Sequence, residues 1–89
     1  MPKARARNND AVCFGLIMQR LRQERGWTLQ QLSQATGMNS RYLGTMENGG
    51  NVPSISTLIL LSDVYGVDPP EVLREMIAFR KTFTVRGKT

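Results

Sequence analysis

Apolar residues recur along this chain at the three- and four-residue spacing of amphipathic helices, and glycines interrupt the pattern at intervals. The spacing predicts five helices and no sheet. Four glycines stand where the first four apolar stripes stop, and these are Gly26, Gly37, Gly49 and Gly66. The sequence therefore predicts an all-α fold, a compact bundle of five short helices.

The central stretch from residue 26 to 49 predicts two short helices joined by a tight turn. Thr28 is suited to cap the first of them, Gln31 is placed to complete a capping box, and Gly37 ends the helix. Asn39 caps the next helix. A turn of about four residues between two such helices is typical of the helix-turn-helix motif. The motif is formed here by the second and third helices.

The third helix separates an inward face from an outward one. Leu43 and Met46 share the inward face, three residues apart. The opposite face carries small or hydrogen-bonding residues, namely Ser40, Arg41, Gly44, Thr45 and Asn48. Two interpretations stay open, a solvated polar face and a surface that contacts bases in a DNA groove. On DNA, arginine binds guanine through two hydrogen bonds, serine bonds to any base, and threonine bonds to a base or packs its methyl group on thymine.

The first and fourth helices are predicted from the same kinds of signal. The first covers residues 10–25, with Asn9 or Asp10 as its cap. The fourth follows the cap residue Ser54 and carries Ile55 at the start of its apolar stripe. We find no repeat, low-complexity tract or interdomain linker in the chain.

The net charge of +5 in 89 residues is concentrated at the two ends. The excess lies in Lys3, Arg5 and Arg7 at one end and in Arg86 and Lys88 at the other. Seven basic and seven acidic residues balance in between. We therefore divide the chain into a flexible basic arm (1–9), one domain (10–83) and a flexible basic tail (84–89). The arm either follows DNA phosphates or serves as a solubilising end.

Composition argues against several classes of function. The chain has no histidine and a single cysteine, Cys13, so it lacks the usual general base and metal-ligand clusters. No apolar run approaches the roughly 20 residues of a membrane span, and the N-terminus lacks a secretory signal. We expect no enzyme activity, no cofactor, no metal, no small-molecule ligand and no membrane partner. The expected location is cytoplasmic, on the bacterial nucleoid when bound to DNA.

From Phe14 to Leu73 the chain resembles the lambda-repressor-like, Cro/cI-type helix-turn-helix family, also called the xenobiotic response element family. The resemblance is carried by RLRQERGWT, QQLSQATGMN, SRYLGTMENG, VPSISTL and YGVDPPEVL, in that order. It implies that Arg22 and Glu47 bridge the first helix to the end of the third, the recognition helix. It also implies base contacts from Ser40, Arg41, Gly44 and Thr45.

Phosphate contacts are expected from Thr28, Gln30, Tyr42 and Asn48 and, in the basic arm, from Lys3, Arg5 and Arg7. Tyr42 is equally suited to the edge of the core. Two positions depart from the family pattern, because Leu29 stands where a glutamine is frequent and Gly50 where lysine or arginine is frequent. Gly44 inside the recognition helix costs that helix about 1 kcal/mol relative to alanine.

The fifth helix begins at Pro69, runs toward Phe83, and has more apolar side chains than a small core needs. Because one recognition helix reads few base pairs, a dimer that reads two half-sites is expected, and the resemblance implies the same. The interface candidates are Val72, Met76, Ile77, Phe79 and Phe83, which alternatively all pack within the monomer. The predicted function is a homodimeric, sequence-specific transcriptional regulator on double-stranded DNA with a near-palindromic operator. The alternative is an antitoxin or bridging protein-interaction module with weak or no DNA binding.

Overall fold

The computed structural model describes residues 8–88, and side chains for residues 8–82. The chain forms five helices, α1 (Asn9–Glu24), α2 (Leu29–Thr36), α3 (Ser40–Glu47), α4 (Ile55–Tyr65) and α5 (Pro69–Lys88). No strand occurs between residues 8 and 88. The predicted all-α bundle of five helices, with the helix-turn-helix motif in α2 and α3, is confirmed.

Capping interactions set the ends of the two motif helices. Thr28 Oγ1 accepts a hydrogen bond from the N–H of Gln31 at 3.0 Å, and Gln31 Oε1 accepts one from the N–H of Thr28 at 2.8 Å. This is the predicted capping box. Asn39 Oδ1 accepts from two backbone N–H groups in the first turn of α3. Three residues separate the helices, and Gly37 turns the chain with a left-handed φ of 76°.

Two predicted helix boundaries were wrong. Asn8 caps α1, because its extended backbone directs Oδ1 to the N–H of Asp10 at 2.8 Å, while Asn9 already belongs to the helix. α5 continues to Lys88 instead of ending near Phe83, because no proline interrupts it there. Most of the segment assigned to a flexible tail is therefore helical.

All five helices contribute to one core. Its buried side chains are Phe14, Ile17, Met18, Leu21, Leu32, Leu43, Met46, Leu58, Leu61, Tyr65 and Val72. Cys13 is also fully buried, as a packing residue of α1. Ile55 is 68% exposed, so its place in the predicted core stripe of α4 was wrong. None of the helices in the described range is long and apolar enough to cross a membrane.

The first helix passes unusually close to the end of α3 at Gly15. A Cβ atom built on this buried glycine would lie 2.6 Å from the carbonyl oxygen of Glu47, and still closer to that of Met46. These are backbone atoms, which cannot rotate out of the way. Glycine at this position therefore allows α1 to lie this close to α3.

We predict that Gly15→Ala lowers the free energy of unfolding by about 1–3 kcal/mol, as overpacked core substitutions do. Alanine on its own favours a helix by about 1 kcal/mol over glycine, so the steric term must exceed that gain. Gly44→Ala in α3 is the matched control, since its Cβ would lie 3.4 Å from a Leu29 methyl carbon, an ordinary contact. That change is expected to preserve or raise stability. Urea denaturation of the three proteins measures both effects, and equal gains from both substitutions would contradict the close approach.

Candidate nucleic-acid interface

The predicted base-contacting residues lie on one side of α3. Arg41 and Thr45 are exposed, and Ser40 and Gly44 are partly exposed. Asn48, the exposed C-cap residue, follows on the same side. The opposite side of α3 is buried in the core. The helix therefore presents a continuous polar face to the outside.

Arg41 is set apart from the other arginines whose side chains the structure describes. An ion pair or a hydrogen bond within the protein engages each of Arg20, Arg22, Arg25, Arg74 and Arg80. Arg41 has no such partner among the described residues, and it is exposed. Between residues 26 and 62 the only other charged residue is Glu47, which is buried. The outer face of α3 thus carries one uncompensated positive charge.

The predicted phosphate-contacting residues are more varied in their surroundings. Thr28 is exposed, and its hydroxyl proton remains free while the oxygen accepts the capping hydrogen bond. Gln30 and Asn48 are exposed, and their side chains make no hydrogen bond to another described residue. Tyr42 is partly buried and packs against the core, which favours the packing role that the sequence left open. Leu29, at the position where the family frequently has glutamine, also packs against the core.

The predicted dimer residues divide between core and surface. Val72 is 2% exposed, so its place in an interface was wrong, because it lies on the side of α5 that faces the core. Met76 and Phe79 are partly buried on that same side, while Ile77 is 53% exposed. The structure does not describe the side chains of four other predicted residues. They are Phe83, predicted for the dimer interface, and Lys3, Arg5 and Arg7, predicted for phosphate contact.

Sequence reasoning missed an apolar surface on α4. Ile55 and Ile59, one turn apart, are 68% and 43% exposed, and Leu60 is 38% exposed. On α5, whose apolar excess the sequence does show, Leu73 is 41% exposed. Apolar residues occur on every side of α4, so periodicity gave no signal to separate the inner face from the outer one.

A buried ion pair fixes α3 to α1. Arg22 Nε and Nη2 donate to the two carboxylate oxygens of Glu47 at 2.8 and 2.9 Å, and Arg22 Nη1 donates to the carbonyl of Trp27 at 2.8 Å. The side chains are 14% and 3% exposed. The hydrogen bonds to Glu47 raise the pKa of Arg22, which keeps the guanidinium charged. The structure thus brings together the two residues that the resemblance paired, and adds a third contact beside the cap of α2.

Aromatic stacking joins the end of α4 to the same region. The rings of Trp27 and Tyr65 stack with centroids 5.6 Å apart, and the guanidinium carbon of Arg25 lies 5.1 Å from the Tyr65 ring centre. Arg25 also donates to the carbonyl oxygen of Leu21 at 2.9 Å. The Tyr65 hydroxyl is buried without a hydrogen-bond partner in the described part of the chain. Burial, and next the negative charge of Glu47, raise the pKa of Tyr65 to about 12.

Comparison with known proteins identifies this architecture. The protein-family model described as helix-turn-helix matches residues 18–72, which is more than half of the chain. The chain therefore belongs to the lambda-repressor-like, xenobiotic response element type of helix-turn-helix family. It is 42% identical over 50 residues to the HTH-type transcriptional regulator SutR of Escherichia coli (strain K12). That match covers 56% of this chain and 28% of SutR, so the similarity extends over well under half the length of this relative.

Solved structures share the fold. The clp gene regulator ClgR from Corynebacterium glutamicum superposes with a TM-score of 0.81 at 20% identity, over 93% of this chain and 88% of ClgR. The restriction-modification controller protein C.AhdI from Aeromonas hydrophila superposes with a TM-score of 0.68 at 26% identity, over 73% of this chain and 98% of C.AhdI. The names of these relatives describe regulators and a controller, and the family is not one of enzymes.

The buried tyrosine makes an alkaline loss of stability predictable. Below pH 10 the Tyr65 hydroxyl is protonated in both the folded and the unfolded protein, so its contribution to the free energy of unfolding is complete. Between about pH 10 and 12 only the unfolded chain releases the proton. The free energy of unfolding therefore falls with rising pH across that window, by about 2 kcal/mol for this group. Urea midpoints measured across the window for wild type, Tyr65→Phe and Tyr42→Phe check it.

Tyr65→Phe is expected to remove this part of the loss of stability at alkaline pH. Tyr42→Phe, at the other tyrosine of the chain, is the control and is expected to retain that loss. At neutral pH, Tyr65→Phe is expected to be neutral or stabilising, because the hydroxyl that it removes has no partner. A pH slope in Tyr65→Phe equal to that of wild type would show that another group controls the alkaline transition.

Proposed function

We propose that this protein is a sequence-specific DNA-binding transcriptional regulator that binds a near-palindromic operator as a homodimer, with α3 in the major groove. The observation that carries the proposal is Arg41. It is exposed in the first turn of α3, and its guanidinium is not engaged by any side chain or carbonyl of the described chain. A free guanidinium at this place is suited to bind O6 and N7 of a guanine through two hydrogen bonds. Such a regulator acts in the cytoplasm, on the nucleoid.

The way in which α3 is held supports a reading role. Its eight residues span about 12 Å, comparable with the width of the major groove. The Arg22–Glu47 pair anchors its C-terminal end, and Gly15 lets α1 lie against the same end. A helix whose backbone is fixed loses little backbone conformational freedom on binding, so α3 is preorganised as a scaffold for contact with base edges.

Exposed apolar side chains on the two C-terminal helices support a homodimer. Val72 belongs to the core, so the proposed interface consists of side chains that the monomer leaves exposed. They are Ile55, Ile59 and Leu60 on α4 and Leu73 and Ile77 on α5. A second copy related by twofold symmetry would cover this surface and place two recognition helices on matching half-sites. The palindromic character of the operator follows from that symmetry.

One alternative function has specific support. Leu29 packs into the protein and Gly50 has no side chain, so two phosphate contacts frequent in the family are missing. Fewer phosphate contacts weaken the part of DNA affinity that does not depend on sequence. A protein-interaction module, such as an antitoxin or bridging factor, is the function that this loss favours. DNA selection on the folded protein distinguishes the two.

Selection of bound sequences from a random DNA pool tests the role of Arg41. Wild type is expected to enrich a near-palindromic motif, and Arg41→Ala to lose one guanine preference with a cost of about 1–3 kcal/mol per half-site. Arg74→Ala is the matched control, since it removes an equal charge from α5, where Arg74 pairs with Glu71. It should leave the motif unchanged. Failure of folded wild type to enrich any motif would favour the protein-interaction module.

Light scattering at micromolar concentration tests the interface. Ile77→Glu is expected to give a folded monomer, because the side chain is 53% exposed and a charge there opposes only association. Gln34→Glu on α2 adds the same charge away from the proposed surface and is expected to stay dimeric. If Ile77→Glu has the same mass as this control, the interface does not include Ile77.

A further inference from the structure

Backbone conformation does not explain why residue 50 is a glycine. It lies outside the left-handed region that the structure records at four other glycines. Its surroundings differ, because a Cβ atom built here would lie 2.7 Å from Cγ2 of Thr45 and 3.2 Å from the Thr45 carbonyl oxygen. Such a separation of two carbon atoms is far below van der Waals contact. The methyl group of Thr45 therefore occupies the space that a side chain at position 50 would need.

One hydrogen bond holds the Thr45 side chain in this orientation, and another fixes the backbone of Gly50 beside it. Thr45 Oγ1 donates a hydrogen bond to the carbonyl oxygen of Arg41 at 3.0 Å, one turn earlier in α3. The N–H of Gly50 donates to the carbonyl oxygen of Thr45 at 2.9 Å, so the backbone of Gly50 is tied to the same residue. Threonine in a helix has two common χ1 rotamers. Rotation to the other one would move both the hydroxyl and the methyl group.

The hydrogen bond to Arg41 decides what the Thr45 hydroxyl offers to a base. A hydroxyl has one proton, and a carbonyl oxygen has none to give, so Thr45 must be the donor in this bond. Only the lone pairs of Oγ1 remain for an outside partner. In the major groove the hydrogen-bond donors are the amino groups N6 of adenine and N4 of cytosine, whereas N7, O6 and O4 are acceptors.

We propose that Gly50 is a specificity-determining residue that acts through Thr45. By leaving room for the Thr45 methyl group, it keeps the hydroxyl bonded to the Arg41 carbonyl and restricted to accepting. The base facing Thr45 is then adenine or cytosine. This inference rests on the proposed function, since it requires α3 in the major groove. It also gives the absence of a basic side chain at position 50 a physical cause, which is the branched residue at position 45.

Selection from a random DNA pool with four proteins tests the proposal. Comparison of wild type with Thr45→Ala locates the base pair that Thr45 contacts. At that base pair, wild type should favour adenine or cytosine about 2- to 10-fold, the range for one hydrogen bond. Gly50→Ala should lose that preference and keep the guanine preference assigned to Arg41. Gly50→Ala combined with Thr45→Ser should regain it, because serine retains the hydroxyl and lacks the methyl group.

The outcomes separate this inference from the function on which it rests. If wild type enriches no motif, both are overturned. If the motif is present but Gly50→Ala leaves the profile at that base pair unchanged, or if wild type favours guanine or thymine there, only the role of Gly50 is overturned. Urea denaturation supplies a readout without DNA. Should Gly50→Ala fail to fold, Thr45→Ser must restore folding, and failure to do so would contradict the steric coupling.

Discussion

The arrangement of the helix-turn-helix depends on one buried ion pair, between Arg22 and Glu47. Removing two charges from water is costly, and the pair compensates through two direct hydrogen bonds and a third to the carbonyl of Trp27. One contact set thus joins α1, the residue before the cap of α2, and the last residue of α3. Loss of either partner would leave an unpaired charge in a buried place, so the three elements are fixed together. Gly15 adds a steric counterpart, since it lets α1 touch the same end of α3.

The same ion pair shapes the electrostatics of the outer surface. Glu47 is the only acidic residue of α3, and the pair buries it, so the exposed face of the helix retains the positive charge of Arg41 without a neighbouring carboxylate. Elsewhere in the described chain, arginines are paired, and the pairs of Asp10 with Arg80 and of Glu75 with Arg20 connect α1 and α5 at the surface. A charge that has no structural partner is available to a ligand. On that basis Arg41 is the arginine that we propose for DNA contact, among those whose side chains the structure describes.

A small chain has limited room for its apolar side chains, and this constraint links the core to the proposed assembly. A domain of this size buries only about two thirds of the surface of its unfolded chain. Here Val72, Met76 and Phe79 of α5 turn toward the core, while isoleucines of α4 and Ile77 remain exposed. Association through those exposed side chains would bury apolar surface that the monomer cannot. Stability and the reading of two half-sites would then depend on the same contact.

The sequence by itself determined the five helices, the caps of α2, α3 and α4, and the polar face of α3. Thr28 with Gln31, and Asn39, act on backbone groups two or three positions away, so local residue types suffice to specify them. Tertiary structure decided which apolar residues face inward. α4 is apolar on every side, and nothing local distinguishes exposed Ile55 from buried Leu58. Tertiary structure also decided the contacts at Gly15 and between Thr45 and Gly50. The sequence does not show which glycines are crowded, because the neighbours of each glycine are set only once the helices have packed.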